Sequence, residues 1–387
     1  MKKIIVALLI ILMLPSYAFS EVEIIIDSVL EEQIDKIVDT GEIDIFLKEL
    51  LSENEFQFGD SAKDIILKVI KGEQVVDGKS IIESISKIFF SELRFSLNLL
   101  SKVLIITLIS TILTNLQNSF EESSISQLAN YFTYILIGVL VIANFSELMD
   151  MAKSSVGRMV DFMQVLLPIL LTLLVVTGGP TAKIMFHPMI LGTVNVLGIM
   201  VNSMIFPLIY FSFIVSILSN LSQRAELGKL ADLGRQIITF IITATFTIFI
   251  GILTIYGLST KIDGLSIRTA KFAVDTFVPI VGGFLSDAVD TVIGSSAILK
   301  NGIGIIGLLV LVMIILLPII KVTVLLLVYS IIGAVIEPIA SSNIIKFFGD
   351  ASKTLLLVLI SLVAIGIMFF ITITITVDTG NNLMMLR

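Results

Sequence analysis

Long apolar blocks follow one another along most of this chain, separated by short polar connectors. From residue 94 onward they cover, approximately, residues 95–116, 128–148, 160–177, 187–219, 236–258, 272–285, 302–340 and 354–377. Most of these blocks approach the roughly 20 residues that a helix needs to cross the hydrocarbon core of a bilayer. The pattern therefore predicts an all-α fold, a polytopic membrane helix bundle with seven to nine crossings.

Two of the blocks do not fit one straight crossing. Residues 187–219 and 302–340 are too long for a single span, yet short for two spans joined by a turn. Each contains an internal proline, Pro207 or Pro318, which removes a backbone hydrogen bond from a helix. We therefore predict broken, tilted or re-entrant elements at these two places. Helix breaks are predicted at Pro168 and Pro279 as well. The block at 272–285 is short for a crossing.

The prolines also reveal an internal repeat. Pro168 precedes Pro207 by the same separation in sequence as Pro279 precedes Pro318, so the second pair repeats the spacing of the first. Each pair is followed by a glycine-containing polar connector and one final apolar block. We predict that a first transmembrane helix pair at 94–159 precedes two membrane repeats, at 160–272 and 273–387. An odd number of crossings in each copy would invert the copies, whereas an even number would make them parallel.

The first 93 residues differ from the rest. The opening MKKIIVALLIILMLPSYAFS has two lysines, a short apolar run and small residues at its end, which indicates a signal peptide over residues 1–20. An uncleaved anchor helix is the alternative interpretation. Residues 21–93 hold 18 acidic and 7 basic side chains between apolar positions at helical spacing. We predict a small, acidic, helical extracytoplasmic region that caps the membrane body or docks partners.

Composition narrows the possible chemistry. The chain is 56% hydrophobic and only 15% charged, against about 25% charged residues in soluble domains. It has no cysteine and a single histidine, His187, so we expect no disulfide, no metal centre and no catalytic triad. It also has no P-loop and no basic stripe. We therefore predict a non-enzymatic protein without a cofactor, surrounded by membrane lipid and not bound to nucleic acid.

One unusually polar segment follows Pro279. It reads VPIVGGFLSDAVDTVIGSSAILKNGIG over residues 278–304. One interpretation is a polar loop with a capped amphipathic helix, and the other is a re-entrant or cavity-lining hairpin. The next apolar block adds two ionisable residues, and such residues inside membrane segments are functional candidates. The candidate pathway or packing residues are Gly282, Gly283, Ser286, Asp287, Asp290, Lys300, Asn301, Lys321 and Glu337.

Two points qualify this set of candidates. Asp290 with Lys300, and Glu337 with Lys321, are the ion pairs that we would test first. Lys321 also has a simpler explanation, because a long lysine side chain near a helix end can extend to the membrane interface.

Residues 275–304, DTFVPIVGGFLSDAVDTVIGSSAILKNGIG, resemble the signature of the stage III sporulation protein AE family of endospore-forming bacteria. The resemblance extends to the signal peptide, the acidic helical region and the polytopic body. It implies a non-enzymatic subunit of the complex that links the mother cell to the forespore, in the mother-cell membrane around the forespore. The implied partners are other stage III sporulation operon proteins, including a separate ATPase, and a forespore-side protein across the intermembrane space.

Three functional hypotheses follow. The chain is a transport-competent subunit whose polar segment lines a pathway needed for forespore development. Alternatively, it is an assembly scaffold in which the same residues only hold helices together. A third hypothesis, an independent ion-coupled secondary transporter, is consistent with the repeat.

Overall fold

The structure, a computed structural model, describes residues 41–53, 62–71, 73, 78–118, 123–177, 180–221, 227–277 and 281–385. The predicted signal peptide, residues 1–20, and residues 21–40 of the acidic region lie outside these residues. The described part of the chain is helical almost throughout and contains no strand. Its helices are α1 (Gly41–Glu53), α2 (Ala62–Ile70), α3 (Gly78–Asn118), α4 (Ser123–Val176), α5 (Pro180–Met200), α6 (Phe206–Leu221), α7 (Gly228–Phe277), α8 (Val281–Ile336) and α9 (Ser342–Met385).

Six helical stretches in the described residues are long and apolar enough to cross a membrane. The predicted blocks at 128–148 and 160–177 differ from expectation, because they form one continuous helix, α4. The residues between them, 149–159, include alanine, methionine, lysine and arginine, which favour helix, and no proline interrupts them. The predicted boundary between residues 159 and 160 therefore falls inside α4, and the one between 272 and 273 falls inside α7.

Two of the four prolines lie inside continuous helices. Pro168 is inside α4 and Pro318 is inside α8, so neither ends its helix. Pro207 follows a π-helical turn, Val201–Ile205, in which the Phe206 N–H donates to the Val201 carbonyl. Pro279 lies outside the described residues. Packed membrane helices tolerate proline because neighbouring groups and local π adjustments satisfy the freed backbone carbonyls.

The segment expected to form either a loop or a hairpin is helical from Val281 onward, within the 56-residue helix α8. Within this segment Gly304 serves close packing, as Gly366 does in α9, whereas Gly294 faces open space. A Cβ added at Gly304 would collide with the Val377 side chain, and one added at Gly366 would collide with Ile315. Small residues at such positions let membrane helices approach closely. Helices α8 and α9 are thereby held together as an antiparallel pair at the centre of the bundle.

Contacts with α4 give the relative direction of the two predicted copies. Along α4, Phe145 stacks on Phe213 of α6, and a Cβ on Gly198 of α5 would meet Val160. The numbering of α5–α6 therefore falls as that of α4 rises. The same holds for α8, since Leu166 faces Gly307 while Leu148 and Leu325 share a cleft. Two elements that are each antiparallel to α4 run parallel to each other, so α5–α6 and α8 have the same direction.

The two short helices pack on the long ones. Ile43 and Leu47 of α1, and Ile65 and Ile66 of α2, are buried in the hydrophobic core. The Phe46 ring meets the Phe162 ring of α4 edge-on, with centroids 5.5 Å apart. This described part of the acidic region therefore folds onto the helix bundle.

Candidate functional site

Four neighbouring elements each contain a stretch without charged residues. These stretches lie at the same depth in the bundle, which we call the uncharged depth. No charged residue occurs in residues 188–221 of α5–α6, 236–260 of α7, 301–320 of α8 or 354–377 of α9. Cross-contacts align these stretches: Thr245 of α7 donates to the Met200 sulfur, and Gly366 of α9 faces Ile315 of α8. At about 1.5 Å per residue, the roughly 20 uncharged residues of α8 span about 30 Å, the thickness of the hydrocarbon core.

Helix α4 breaks this rule, because its charges begin near one boundary of this depth, at Glu147, and continue into it. Five charged residues fall between Phe145 and Val160 or directly beside them: Glu147, Asp150, Lys153, Arg158 and Asp161. Phe145 contacts Phe213 and Val160 faces Gly198, both of which lie in the uncharged stretch of α5–α6. The charges of α4 therefore lie beside stretches of α5 and α6 that carry none.

Most of these charges are exposed on one face. Glu147, Asp150, Ser154, Asp161 and Gln164 recur at the spacings of a single helical face and are exposed. An ionised group facing hydrocarbon costs several kcal/mol. This polar face of α4, residues 147–164, must therefore meet water or another polar surface, because lipid would not tolerate it.

Polar groups of α5 continue the polar face. Gln164 donates from Nε2 to Asn195 Oδ1 at 2.6 Å. Further along, in the π turn, Asn202 is half-buried, and its Oδ1 has no hydrogen-bond partner among the described residues. Single π turns inside helices occur frequently at functional sites. The π turn at Val201–Ile205 thus places a polar amide near the charged part of α4.

Lys300 directly precedes the uncharged stretch of α8, residues 301–320. Its side chain is 0% exposed, and its Nζ has no hydrogen-bond partner among the described residues. The Ser296 hydroxyl and the Asn301 Oδ1, both close to Lys300 along the same helix, are also buried without such a partner. The Asp378 carboxylate of α9 acts electrostatically on the amine. Three polar atoms without such a partner therefore lie close together, and each costs about 1–3 kcal/mol where no solvent reaches it.

A cleft of about 340 Å³ opens between α3, α4 and α8. Its polar lining includes Glu92 and Lys102 of α3, Asn144 and Glu147 of α4, and Lys321 of α8, among leucine and phenylalanine side chains. Along α8, at the rise of an α-helix, Lys321 lies about 31 Å from Lys300. The two lysines therefore mark opposite ends of the uncharged depth, and only Lys321 faces the cleft.

A cluster of ion pairs and hydrogen bonds links α6, α7 and α9 near the depth of the cleft. Arg235 of α7 donates to Asp232 and to the Ser216 hydroxyl, both at 2.7 Å, and its Nη2 lies 3.4 Å from Asp350 of α9. Lys353 pairs with Asp350 at 3.3 Å. These residues lie in or beside the two polar connectors from which the repeat was predicted. The cluster thus joins the final helix of one predicted copy, α7, to that of the other, α9.

The structure places the residues predicted from the sequence in different surroundings. Lys300 and Asn301 are at least half-buried inside the bundle, and Lys321 lines the cleft. Glu337 is exposed in the turn after α8, several helical turns from Lys321, so these two residues do not form the expected pair. The structure describes no side-chain surroundings for the other candidates, which are Gly282, Gly283, Ser286, Asp287 and Asp290.

The polar face of α4 was missed by the sequence analysis. Glu147 lies near the end of the predicted apolar block at 128–148, Asp161 lies near the start of the one at 160–177, and Asp150 lies in the connector between them. The spacing of Glu147, Asp150 and Asp161 does indicate one helical face. Only the contacts with α5 and α6 show that this face lies at membrane depth.

These features define a multi-pass α-helical membrane protein with polar groups at membrane depth. The chain belongs to the stage III sporulation protein AE family: the family model, Stage III sporulation protein AE, matches residues 61–380. A relative, "Stage III sporulation protein AE" of Bacillus subtilis (strain 168), is 30% identical over 351 residues, covering 90% of this chain and 88% of the relative. No solved structure matches. Family membership gives the protein a role in sporulation, and its expected partners are among sporulation proteins.

Proposed function

We propose that this chain is a non-enzymatic, transport-competent membrane subunit of a complex that connects the mother cell with the forespore and sustains forespore development. The observation that carries the proposal is the polar face of α4, which lies beside the uncharged stretches of α5 and α6. A face with several exposed charges is stable at that depth when it meets water. A water-lined route across the bundle is what a transport subunit requires.

Further polar groups support a route that continues beyond α4. Ser296 Oγ, Lys300 Nζ and Asn301 Oδ1, which have no hydrogen-bond partner among the described residues, lie at one end of the uncharged depth. The cleft with Lys321 lies at the other end. Ionisable groups inside membrane proteins are retained mainly at ion and substrate pathways or in mutual pairs. We infer that solute or water passes along the surface that joins these groups.

The remaining parts of the proposal concern location and partners. The chain has no P-loop, so energy for transport comes from a separate ATPase of the same operon. The protein lies in the mother-cell membrane around the forespore and meets a forespore-side protein across the intermembrane space. Its acidic N-terminal region, part of which packs on the bundle through α1 and α2, is suited to contact these partners.

A scaffold without its own pathway is the second candidate, since the close packing of α8 on α9 and the Arg235 cluster suit a rigid assembly subunit. The two functions differ in their response to a neutral α4 face. Asp150→Leu and Asp161→Leu remove charge from that face, while Met204→Leu changes the exposed apolar surface at a similar depth. The variants are produced in the spore-forming host in place of the unmodified chain.

Two measurements separate the candidates: co-purification of the sporulation complex with a tagged chain, and expression of a late forespore reporter gene. The transport proposal expects normal co-purification and at least a tenfold loss of reporter expression for the two aspartate variants, with Met204→Leu unchanged. Loss of co-purification supports the scaffold. Normal behaviour of both aspartate variants contradicts the transport proposal.

A further inference from the structure

The cleft between α3, α4 and α8 combines opposite charges with an apolar wall. Two carboxylates, Glu92 and Glu147, and two amines, Lys102 and Lys321, line it together with leucine and phenylalanine side chains. They come from three helices, and no ion pair joins them to one another or to other described residues. The cleft thus offers separate sites for a cation and for an anion, with no net charge of its own.

The cleft lies near the boundary of the hydrocarbon core. Lys321 directly follows the uncharged stretch of α8, and Glu147 is close in sequence to Phe145, which stacks on Phe213. Phe213 is one turn from Ser216, which accepts a hydrogen bond from Arg235 in the ion cluster. The charged lining therefore lies at the level where lipid headgroups meet the protein, and Leu99, Leu140 and Leu325 lie on the side of Lys321 away from the membrane centre.

The size and polar groups of the cleft suit a small ligand. A volume of about 340 Å³ is at the lower end of pockets that hold small molecules. Charge-assisted hydrogen bonds form between ammonium and carboxylate groups, and between lysine and phosphate. Asn144 uses its Nδ2 to bond the Leu140 carbonyl, so its Oδ1 is left as an acceptor.

From this geometry we propose that the cleft binds a zwitterionic group with a primary ammonium and a phosphate, as found in phosphoethanolamine. Glu92 and Glu147 accept from the ammonium, and Lys102 and Lys321 donate to the phosphate. The ligand is either the headgroup of a membrane lipid or the soluble headgroup compound. The site does not depend on the proposed transport function, because a scaffold subunit would hold the same ligand.

The test uses the purified full-length chain in detergent and its thermal unfolding midpoint. The probes are phosphatidylethanolamine, phosphatidylcholine and phosphatidylglycerol of equal chain length, and glycerophosphoethanolamine. We expect phosphatidylethanolamine to raise the midpoint at the lowest concentration. Stabilisation by the soluble compound as well identifies a free solute as the ligand, whereas stabilisation by the lipid alone identifies a membrane headgroup.

The variants are Lys321→Gln and Glu147→Gln, with Lys346→Gln and Glu337→Gln as controls at exposed positions elsewhere. Each cleft variant is expected to need about tenfold more phosphatidylethanolamine for half of the shift, the loss expected for one charge-assisted hydrogen bond. Lys321→Arg keeps the charge and should retain binding, which guards against a simple folding defect. A preference for phosphatidylglycerol, equal effects of all three lipids, or cleft variants that respond like the controls would overturn the proposal.

Discussion

Replacing Lys300 by methionine should make the protein more stable. The lysine side chain is 0% exposed and its Nζ has no hydrogen-bond partner among the described residues. Methionine has a similar length and no charge, so it fills the same space without requiring solvation. An unsatisfied buried polar group costs about 1–3 kcal/mol.

The gain is reduced by the lost attraction to Asp378. That carboxylate is exposed, so it stays hydrated when the amine is removed, and the lost attraction is worth at most about 1 kcal/mol. We therefore expect Lys300→Met to raise the free energy of unfolding by about 1–2 kcal/mol. The increase would be a stability gained at the expense of a functional site.

The assay is reversible unfolding of the purified chain in bicelles, titrated with a denaturing detergent. Lys346→Met, at an exposed position on α9, serves as the control and should change the free energy by less than about 0.5 kcal/mol. A loss of about 1 kcal/mol or more in Lys300→Met would refute the reasoning, because it would mean that the ammonium is well satisfied inside the bundle.

Three further substitutions test the packing and the polar contacts. Gly304→Ala should destabilise the α8–α9 pair by about 2 kcal/mol through collision with Val377, and Val377→Ala in the same chain should restore most of the loss. Arg235→Met should cost about 2–3 kcal/mol by leaving Asp350 without its guanidinium partner, and high salt should narrow the difference from the unmodified chain. Tyr134→Phe removes a 2.7 Å hydrogen bond to a carbonyl of α6 and should cost about 1 kcal/mol in the same detergent titration. Failure of Val377→Ala to restore stability would contradict the proposed Gly304 contact. A loss in Arg235→Met that does not change with salt would contradict the ion pair, and an unchanged unfolding midpoint of Tyr134→Phe would contradict its hydrogen bond.

Much of the helical architecture could be predicted from the apolar blocks, because a helix in lipid must satisfy its own backbone hydrogen bonds. The prolines misled the prediction of breaks. At Pro168 and Pro318 the helices continue, since packing against neighbours outweighs one lost hydrogen bond. Close to Lys300 in the same helix, Gly304 contributes close packing through its contact with Val377.

The functional residues were only partly predictable. Lys300 stood out because it is an ionisable residue within an apolar region, and the structure buries it. The charges of α4 gave a weaker signal, because Glu147 and Asp161 lie at the ends of two predicted apolar blocks and Asp150 lies in the connector between them. Their depth depends on partners distant in sequence, Phe213 and Gly198, which no local pattern reveals.

Thiol labelling of two single-cysteine chains in intact membranes decides most directly whether the polar face of α4 meets water inside the membrane. The chain contains no cysteine, so each variant carries one thiol. Ser154→Cys lies on the polar face, and Met204→Cys lies at a similar depth on the exposed apolar surface beside it. With a membrane-impermeant maleimide, we expect rapid labelling of the cysteine at 154 and almost none at 204. Equal protection of both positions would contradict the account.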